Sequence, residues 1–417
     1  MFTYSYRQQQ VSWQSKRQEQ TMQIATAWSS NKDGDRAASD VFAQVRAQLP
    51  GRPDLLILFA TPNYDGYTLA QFLRHQAPYV PTHGSSSYQG TMTEQGFHSR
   101  GGRGLGLMGI YDPMGKFGTG TAVIHQNPRR AGMMATQKAI EQAARFGEPP
   151  ELLLLAAPMG VEKQVLQGIV DVVGRQIPVV GASAAATKMG ADDQFVMGNG
   201  RCHAHQVAVT ACYPSGSVHV AYHNGFVPTR FQGVVTKAAG RHLLEINGQA
   251  AAQVYNEWRQ TGLGGLNAGH PDDAYTLTPL AYQLGYQNNH QPHSLAQVVG
   301  VTEAEGLALM TAVPEEATVV LMMGTREAMA QRAVRTVQTA LLQTQTSVQA
   351  IRGGLLIYDA ATMLAIHHKM PEVAKQLGQA LGGAPFLTTF SFGQQGGFVN
   401  HSPSHSNLMI GAILFGR

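Results

Sequence analysis

The chain has 417 residues, 43% hydrophobic and only 13% charged. This length predicts two or three domains, and the hydrophobic content excludes wholesale disorder. The net charge is +4 with no Lys/Arg tract, which excludes a dedicated nucleic-acid binder.

Other compositional features exclude further classes of protein. The two cysteines, Cys202 and Cys212, exclude a disulfide scaffold and a CxxC zinc ribbon. The chain has no stretch near 18 apolar residues, so no membrane span is expected. Residues 1–21 form a predicted polar tail without the apolar core of a secretory signal, and the expected location is the cytoplasm. The low charge content favours burial of surface in a homodimer or complex.

The first predicted unit combines strands and a helix. Residues 53–62 predict a buried strand and turn, residues 67–75 a helix, and residues 79–84 a returning strand. A further strand is predicted at residues 105–111.

The same order recurs one unit later. Pro81 follows Pro53 by 28 residues, as Pro178 follows Pro150. This equal spacing with matched flanks indicates duplicated βαβ-type units. The second copy has its predicted strand, helix, returning strand and further strand at residues 150–158, 162–175, 177–183 and 206–213.

The sequence pattern changes after residue 222, where we place a domain boundary. The following segment predicts a strand, a hairpin, a helix, a loop, a strand and a helix, at residues 234–238, 242–249, 250–261, 262–295, 318–323 and 325–344. A third and looser copy of the unit then closes the chain, at residues 354–359, 370–381, 384–389 and 407–415.

The predicted fold class is therefore α/β. Residues 22–221 form an N-terminal domain of duplicated βαβ-type units. Residues 222–417 form a C-terminal α+β domain that contains the third related unit.

Two Gly-Ser segments follow returning strands, at Gly84–Ser87 and at Gly181–Ser183. A serine in such a turn is typical of a hydrolase nucleophile elbow. Because both repeats carry the feature and an enzyme needs one nucleophile, the favoured interpretation is a turn that cradles a ligand with its backbone N–H groups.

The 16 histidines include several candidate metal or haem ligands. On a strand, His203 and His205 would share one face, with Cys202 on the other. His223 lies at the predicted domain junction, and His401 lies with His405 in a late loop. Any of His203, His205, His223 and His401 is a candidate axial ligand for haem, although an exposed polar strand edge explains the first two equally well.

An ordered set of short motifs carries a family resemblance over about residues 22–417. The motifs are Gly84–Ser87, Gln95–Phe97, Pro178–Ala182, Gly225–Pro228, Val235–Gly240, Leu244–Gly248, Pro279–Leu280, Gly397–Phe398 and Asn400. In this order they resemble the N- and C-terminal domains of the FIST family of bacterial intracellular sensory proteins.

The resemblance implies a small-ligand sensor, and one branch of the family resembles a haem-containing nitric-oxide sensor. It also implies a signalling partner such as a histidine kinase or a cyclic-dinucleotide enzyme, reached through a movement of the two domains. The ligand cleft implied by the resemblance and the paired turns is lined by Gly84, Ser85, Ser86, Gly181, Ala182, Ser183, Phe392, Gln394, Gln395 and Asn400. The cofactor expected is haem b or an unidentified organic ligand.

The sequence departs from the family pattern where a Cys, an Arg and a Gly-Glu pair are usual. Tyr358-Asp359-Ala360, Met363–Ile366 and Gly393-Gln394-Gln395 stand there instead. An enzyme with Asp359 as general base beside Tyr358 is therefore an open alternative, and a non-catalytic scaffolding subunit is another.

Overall fold

Most of the described chain consists of three repeats of one strand–helix unit. The computed structural model describes residues 21–263, 276–283, 293–397 and 403–417. Each repeat runs strand, helix, strand, helical segment, strand, two-stranded hairpin and final strand. The polar tail predicted for residues 1–21 lies almost entirely outside the described residues.

The bounds of the repeats are as follows. Repeat 1 comprises β1 (Gln23–Ser29), α1 (Gly34–Gln48), β2 (Leu55–Ala60), α2 (Gly66–Gln76), β3 (Thr82–Ser86), β4 (Thr91–Thr93), β5 (Gly96–His98) and β6 (Leu105–Tyr111). Repeat 2 comprises β7 (Lys116–Val123), α3 (Pro128–Ala143), β8 (Leu152–Ala157), α4 (Glu162–Val173), β9 (Val179–Ser183), β10 (Val196–Gly198), β11 (Arg201–His203) and β12 (Gln206–Tyr213).

The third repeat is interrupted by an inserted segment. It begins with β13 (Val218–His223), and the insert comprises β14 (Val227–Ala239), β15 (His242–Ile246), β16 (Gln249–Ala250), α5 (Ala251–Leu263), β17 (Leu280–Gln283), β18 (His293–Ala296), β19 (Val298–Val301), β20 (Leu307–Leu309) and β21 (Thr318–Met323). The repeat resumes with α6 (Arg326–Gln343), β22 (Ile351–Asp359), α7 (Ala360–Ala365), α8 (Met370–Ala380), β23 (Phe386–Ser391), β24 (Gln394–Gly396), β25 (Ser404–Ser406) and β26 (Ile410–Gly416).

The three repeats share one strand order. In repeat 1 it is β1-β6-β2-β3, with β2 and β3 parallel and the other pairs antiparallel. Repeats 2 and 3 show the corresponding orders β7-β12-β8-β9 and β13-β26-β22-β23. The predicted α/β fold, with duplicated βαβ-type units and a third related unit, is confirmed.

Each repeat also gives its hairpin to the sheet of another repeat. Hairpin β4–β5 pairs with β23, hairpin β10–β11 pairs with β3, and hairpin β24–β25 pairs with β9. Each of these three sheets therefore has six strands, two of them from a different repeat. The exchange runs in a circle and joins the three repeats into a closed ring.

The helices cover the outer faces of the three sheets, and the inner faces meet at the centre of the ring. Because both faces are covered, the central strands are continuous apolar runs. The central core includes Leu55 and Ile57 of β2, Leu152 and Leu154 of β8, and Leu355 and Ile357 of β22. Their neighbours in sequence face the helices, namely Leu56, Leu58, Leu153, Leu155, Leu356 and Tyr358.

Five of the helices begin at a side chain that accepts a backbone N–H of the first turn. These residues are Asp33, Asp65, Asn127, Thr325 and Asp359. Such caps satisfy donors that have no partner within the helix, and they explain where these helices start. None of the described helices is long and apolar enough to cross a membrane.

The inserted segment forms a fourth, eight-stranded sheet that carries α5. The hairpin, helix and strand predicted at residues 242–249, 250–261 and 318–323 are present. The loop predicted for residues 262–295 is wrong in part, because β17 and the start of β18 lie in it. These four-residue strands are too short to show a periodic pattern. The boundary at residue 222 stays a prediction; β13, which spans it, pairs with β26 at the end of the chain.

Candidate functional site

The ends of β3, β9 and β23 meet at one end of the ring. The amide of Ala185 donates to the carbonyl of Ser86 (3.2 Å), and the amide of Tyr88 donates to the carbonyl of Phe390 (2.8 Å). The amide of Ser183 donates to the carbonyl of Gly393 (2.8 Å). Three segments that are far apart in sequence therefore converge, and the ligand cleft itself stays a prediction.

The two Gly-Ser segments are strand ends rather than turns, and their glycines allow close packing. A Cβ on Gly84 would lie 2.2 Å from the carbonyl oxygen of Leu58. A Cβ on Gly181 would lie 2.7 Å from the Cβ of Leu155. Ala182 beside it is buried as well. Both glycines serve strand packing, and a ligand role for Gly84, Gly181 and Ala182 stays a prediction.

The serines of the first segment are buried and mostly engaged with other repeats. Ser86 Oγ accepts from the amide of Phe195 at 3.0 Å, in repeat 2. Ser87 Oγ accepts from the amide of Phe390 at 2.9 Å, in repeat 3. Ser85 Oγ has no hydrogen-bond partner among the described residues. The segment thus ties three repeats together.

Ser183 belongs to a buried polar cluster beneath the inserted sheet. Its hydroxyl donates to Glu162 Oε1 (2.8 Å) and accepts from Gln395 Nε2 (2.8 Å). Gln395 Nε2 also lies 3.2 Å from His405 Nδ1. Arg241 of the insert approaches Glu162 Oε2 at 3.3 Å. The Glu162 carboxylate is therefore held by a serine on one side and an arginine on the other.

His405 in this cluster is kept neutral. Burial lowers its pKa, and Arg241 and Lys163 act in the same direction, against the opposing effect of Glu162. The imidazole Nε2 lies 3.9 Å from Glu162 Oε1, beyond hydrogen-bond distance. Ser183 is fully buried and donates to a carboxylate rather than to an imidazole, so this geometry is not that of a Ser-His nucleophile. No sequence motif pointed to Glu162 or Arg241.

Asp359 sits at the end of β22 and joins four donors. Its Oδ1 accepts from the amide and the hydroxyl of Thr362, at 2.8 and 3.0 Å. Its Oδ2 accepts from the amide of Leu408 (3.1 Å) and from Gln394 Nε2 (3.2 Å). Oδ1 therefore caps helix α7, and Oδ2 links β22 to the segments of Gln394 and Leu408. Because both oxygens already accept hydrogen bonds within the protein, they are poorly placed to remove a proton from a substrate.

Tyr358 is buried on the other face of β22. Its hydroxyl donates to the carbonyl of Met329 at 3.3 Å, and the guanidinium of Arg332 lies 5.5 Å from its ring centre. Burial lowers the pKa of Arg332, whereas Tyr358 and Asp359 raise it. Arg332 Nη1 donates to the carbonyls of Asn224 and Leu408, at 2.6 and 2.7 Å. This arginine anchors the start of the insert to the end of the ring.

Two of the candidate metal-binding histidines, His203 and His205, are neighbours. His203 and His205 are exposed on and beside hairpin β10–β11, with ring centres 6.0 Å apart, and His203 Nδ1 accepts from the amide of His205. His223 has a lowered pKa because of burial and of the nearby cations Arg332 and Arg335. Within the described ranges no three His, Cys, Asp or Glu side chains form a metal-binding group. His401 and Asn400 lie outside the described residues.

A pocket of about 130 Å³ opens beside the converging strand ends. All three repeats and the insert contribute to its walls. The lining residues are Tyr88, Met189, Gln297, Val299, Met310, Asp359, Ala360, Ala361, Leu364 and Phe392. We call this the central pocket. Of the residues predicted for the ligand cleft, Phe392 lines it directly, while Gln394 holds the Asp359 carboxylate that also lines it.

Comparison with known proteins identifies the class of protein that this fold and pocket define. The chain matches the FIST N domain over residues 54–249 and the FIST C domain over residues 251–397. The protein therefore belongs to the FIST family, as the sequence motifs predicted, and this family is associated with small-ligand sensing.

Similarity to solved structures is distant. A cyanuric acid hydrolase from A. caulinodans is 11% identical with a TM-score of 0.39, covering 95% of this chain and 100% of the other. PurLQS from Thermotoga maritima is 8% identical with a TM-score of 0.23, covering 95% and 73%. Likeness at this level carries no argument about activity. No curated protein matches the chain.

Proposed function

We propose that the protein is a FIST-type sensor that binds a small molecule in the central pocket. The observation that supports this is the origin of the pocket walls: Tyr88 comes from repeat 1, Met189 from repeat 2, Phe392 from repeat 3 and Met310 from the insert. A ligand there contacts every part of the protein at once. Small-molecule sites concentrate where such separate structural units meet.

The walls define the chemistry of the ligand. Met189, Met310, Val299, Leu364 and Phe392 make the pocket mostly apolar, and methionine side chains adapt to different shapes. The polar groups are the Tyr88 hydroxyl, the Gln297 amide and the Asp359 carboxylate, whose oxygens already have donors. At ~30 Å³ per water the volume equals about four waters. The ligand is therefore a small and mainly apolar molecule with one polar end.

The inserted sheet is the element that transmits binding. Its charged tie to the ring is the Arg241–Glu162 pair, and Arg332 holds its first residues. A ligand between Met310 and Phe392 favours the position of the insert in which both contacts are made. Because a ligand shifts an equilibrium only by its differential affinity for the two states, this closed position becomes more populated. A partner protein, such as a histidine kinase or a cyclic-dinucleotide enzyme, reads the change.

A thermal-shift screen of a metabolite panel tests the proposal. The full chain is compared with Ala361→Phe, which fills the pocket, and with Leu342→Phe, on an exposed site of α6. A hit should raise the Tm of the wild type and of Leu342→Phe but leave that of Ala361→Phe unchanged. A panel without hits, or a hit that stabilises Ala361→Phe equally, contradicts the proposal.

Haem with nitric oxide as the sensed ligand is a finer form of this proposal, and it rests on the family resemblance. No histidine among the described residues lines the central pocket, so the pocket as described offers no axial imidazole. An absorption spectrum after addition of haemin tests this form. A saturable Soret band that shifts with nitric oxide and is lost on replacing one histidine supports it, whereas no haemin uptake contradicts it.

A further inference from the structure

A groove of about 590 Å³ opens where repeat 1 meets repeat 2, and it shares no lining residue with the central pocket. Its walls are the end of α2 with the turn to β3, the exposed side of α3 over β7, and the turn between β10 and β11. The volume lies in the range of ~300–1,000 Å³ that is typical of small-molecule sites. Its lining includes Arg74, Tyr79, Thr121, Lys138, Glu141 and Arg201.

The groove carries an excess of positive charge. Arg74, Lys138 and Arg201 line it together with a single carboxylate, Glu141. Across the described ranges none of these four side chains forms an ion pair. Lys138 Nζ donates to the carbonyl of Thr121 at 3.2 Å, which keeps its charge at the groove. Unbalanced cations in a concave surface attract a multiply charged anion.

The ring contains a second junction of the same kind, and there an aromatic ring fills the space. Between repeats 3 and 1, the Trp28 indole of β1 stacks on His98 of hairpin β4–β5, with ring centres 3.9 Å apart and planes 8° apart. The indole N–H donates to Gln95 Oε1 at 3.0 Å. The junction is therefore built to hold a planar ring against the exchanged hairpin.

Strand register places Thr121 where the other junction has Trp28. Thr121 pairs with Ala208 of β12, and Trp28 pairs with Gly106 of β6. Each of these partners lies five residues before the tyrosine that ends its own strand. A Cβ on Gly198 of the hairpin would lie 2.8 Å from the Thr121 methyl, so the threonine packs against the start of the hairpin. Because threonine is much smaller than an indole, the groove opens beside it, next to Gly200 and Arg201.

Tyr79 supplies an aromatic surface at the same groove. Its side chain is 93% exposed, and its backbone has φ 69°, in the left-handed region that bulky residues seldom occupy. Backbone strain of this kind concentrates at functional sites. An exposed aromatic ring beside a cationic groove offers stacking to a planar ligand.

We propose that this groove binds a nucleoside phosphate. The base takes the space that the Trp28 indole occupies in the other junction, and Tyr79 stacks on it. The phosphates are held by Arg74, Lys138 and Arg201. The lining residues of this site are separate from those of the central pocket, so each proposal can fail alone.

Calorimetry on the full chain tests the proposal with ADP and UDP, and with adenosine and inorganic pyrophosphate as the two halves of a nucleotide. At least one nucleotide should bind about tenfold or more tighter than either half, because it gains both the stacking and the ionic contacts. If neither nucleotide binds, the proposal is wrong. If pyrophosphate binds as tightly as the nucleotides, the groove is an anion site only and the proposal is equally wrong.

Variants locate the binding. Arg74→Ala and Tyr79→Ala should each raise the Kd by about tenfold. Thr121→Trp introduces the indole of the other junction and should abolish binding. Arg175→Ala, an exposed arginine in the turn before β9, is the matched control and should bind like the wild type. Circular dichroism confirms folding, and if Thr121→Trp does not fold, Arg74→Ala and Tyr79→Ala decide. Unchanged affinity in these two variants overturns the proposal.

Discussion

Asp359→Asn tests whether one carboxylate joins the ring, the central pocket and helix α7. Asn keeps an oxygen that can cap Thr362, but it places an NH₂ group where Oδ2 accepts from the amide of Leu408 and from Gln394. Gln394 Nε2 retains contacts to Ser391, whereas the buried Leu408 amide loses its acceptor. An unsatisfied buried donor costs about 1–3 kcal/mol, and a lost charged hydrogen bond adds a similar amount. We expect a total of about 3 kcal/mol.

Urea denaturation followed by circular dichroism measures this effect. The matched control is Asp65→Asn, since Asp65 caps α2 in repeat 1 from an exposed position and Asn is an equally good cap there. The control should lie within about 0.5 kcal/mol of the wild type. If Asp359→Asn unfolds at the same urea concentration as Asp65→Asn, the buried network does not have the role inferred here.

Three further perturbations follow from the geometry. Arg241→Ala leaves the buried Glu162 carboxylate without its cation, so we expect about 2 kcal/mol of destabilisation and faster amide exchange in the insert. Unchanged amide exchange would show that the Arg241–Glu162 pair does not hold the insert to the ring. Burial lowers the pKa of His83 to about 4, so protonation favours the unfolded state, and His83 alone should remove about 2 kcal/mol of stability between pH 7 and 5. His98, whose pKa burial also lowers to about 4, adds to the same fall. His83→Gln should make the fall in stability between pH 7 and 5 smaller by about 2 kcal/mol, and exposed His75→Gln should leave it unchanged. Gly84→Ala forces a methyl to 2.2 Å from a backbone oxygen and should cost about 3 kcal/mol or more; a normal Tm rules out the close approach.

The repeat architecture was predictable because it leaves local signals. Residues 55–60 and 152–157 are uninterrupted apolar runs, which strands covered on both faces require. The helices and returning strands that follow these runs were predicted correctly in two repeats, and the equal spacing of the proline pairs indicated the duplication. The first strand of each repeat was missed, and so was the first helix of repeats 1 and 2, whereas the first helix of repeat 3 was predicted. Strands β1 and β7 contain many small and polar residues, which hides their pattern.

The exchanged hairpins were not predictable. Their strands, such as Thr91–Thr93 and Val196–Gly198, have only three residues, which is too short for any periodicity. Their partners lie in other repeats, so nothing local selects them. The equivalence of Trp28 and Thr121 is likewise invisible until the register of two strands is known.

The sequence indicated one of the segments that form the candidate site. The sequence pointed to the segment that contains Phe392, Gln394 and Gln395, which lies at the converging strand ends. It missed Met310 and Arg241, because the insert reaches the ring only through tertiary packing. Contacts between residues far apart in sequence leave no pattern in either segment.

The circular exchange of hairpins bears on how the chain is made in the cell. Repeat 1 leaves the ribosome with β3 as an open edge, which waits for β10 of repeat 2. Repeat 2 in turn leaves β9 open until residues 394–396 are synthesised, near the end of the chain. Exposed strand edges are templates for aggregation, and long-range pairings close slowly. No repeat completes its sheet from its own strands alone. Repeat 1 waits for residues 196–203 and repeat 2 for residues 394–396, so the ring closes only after both hairpins have been made.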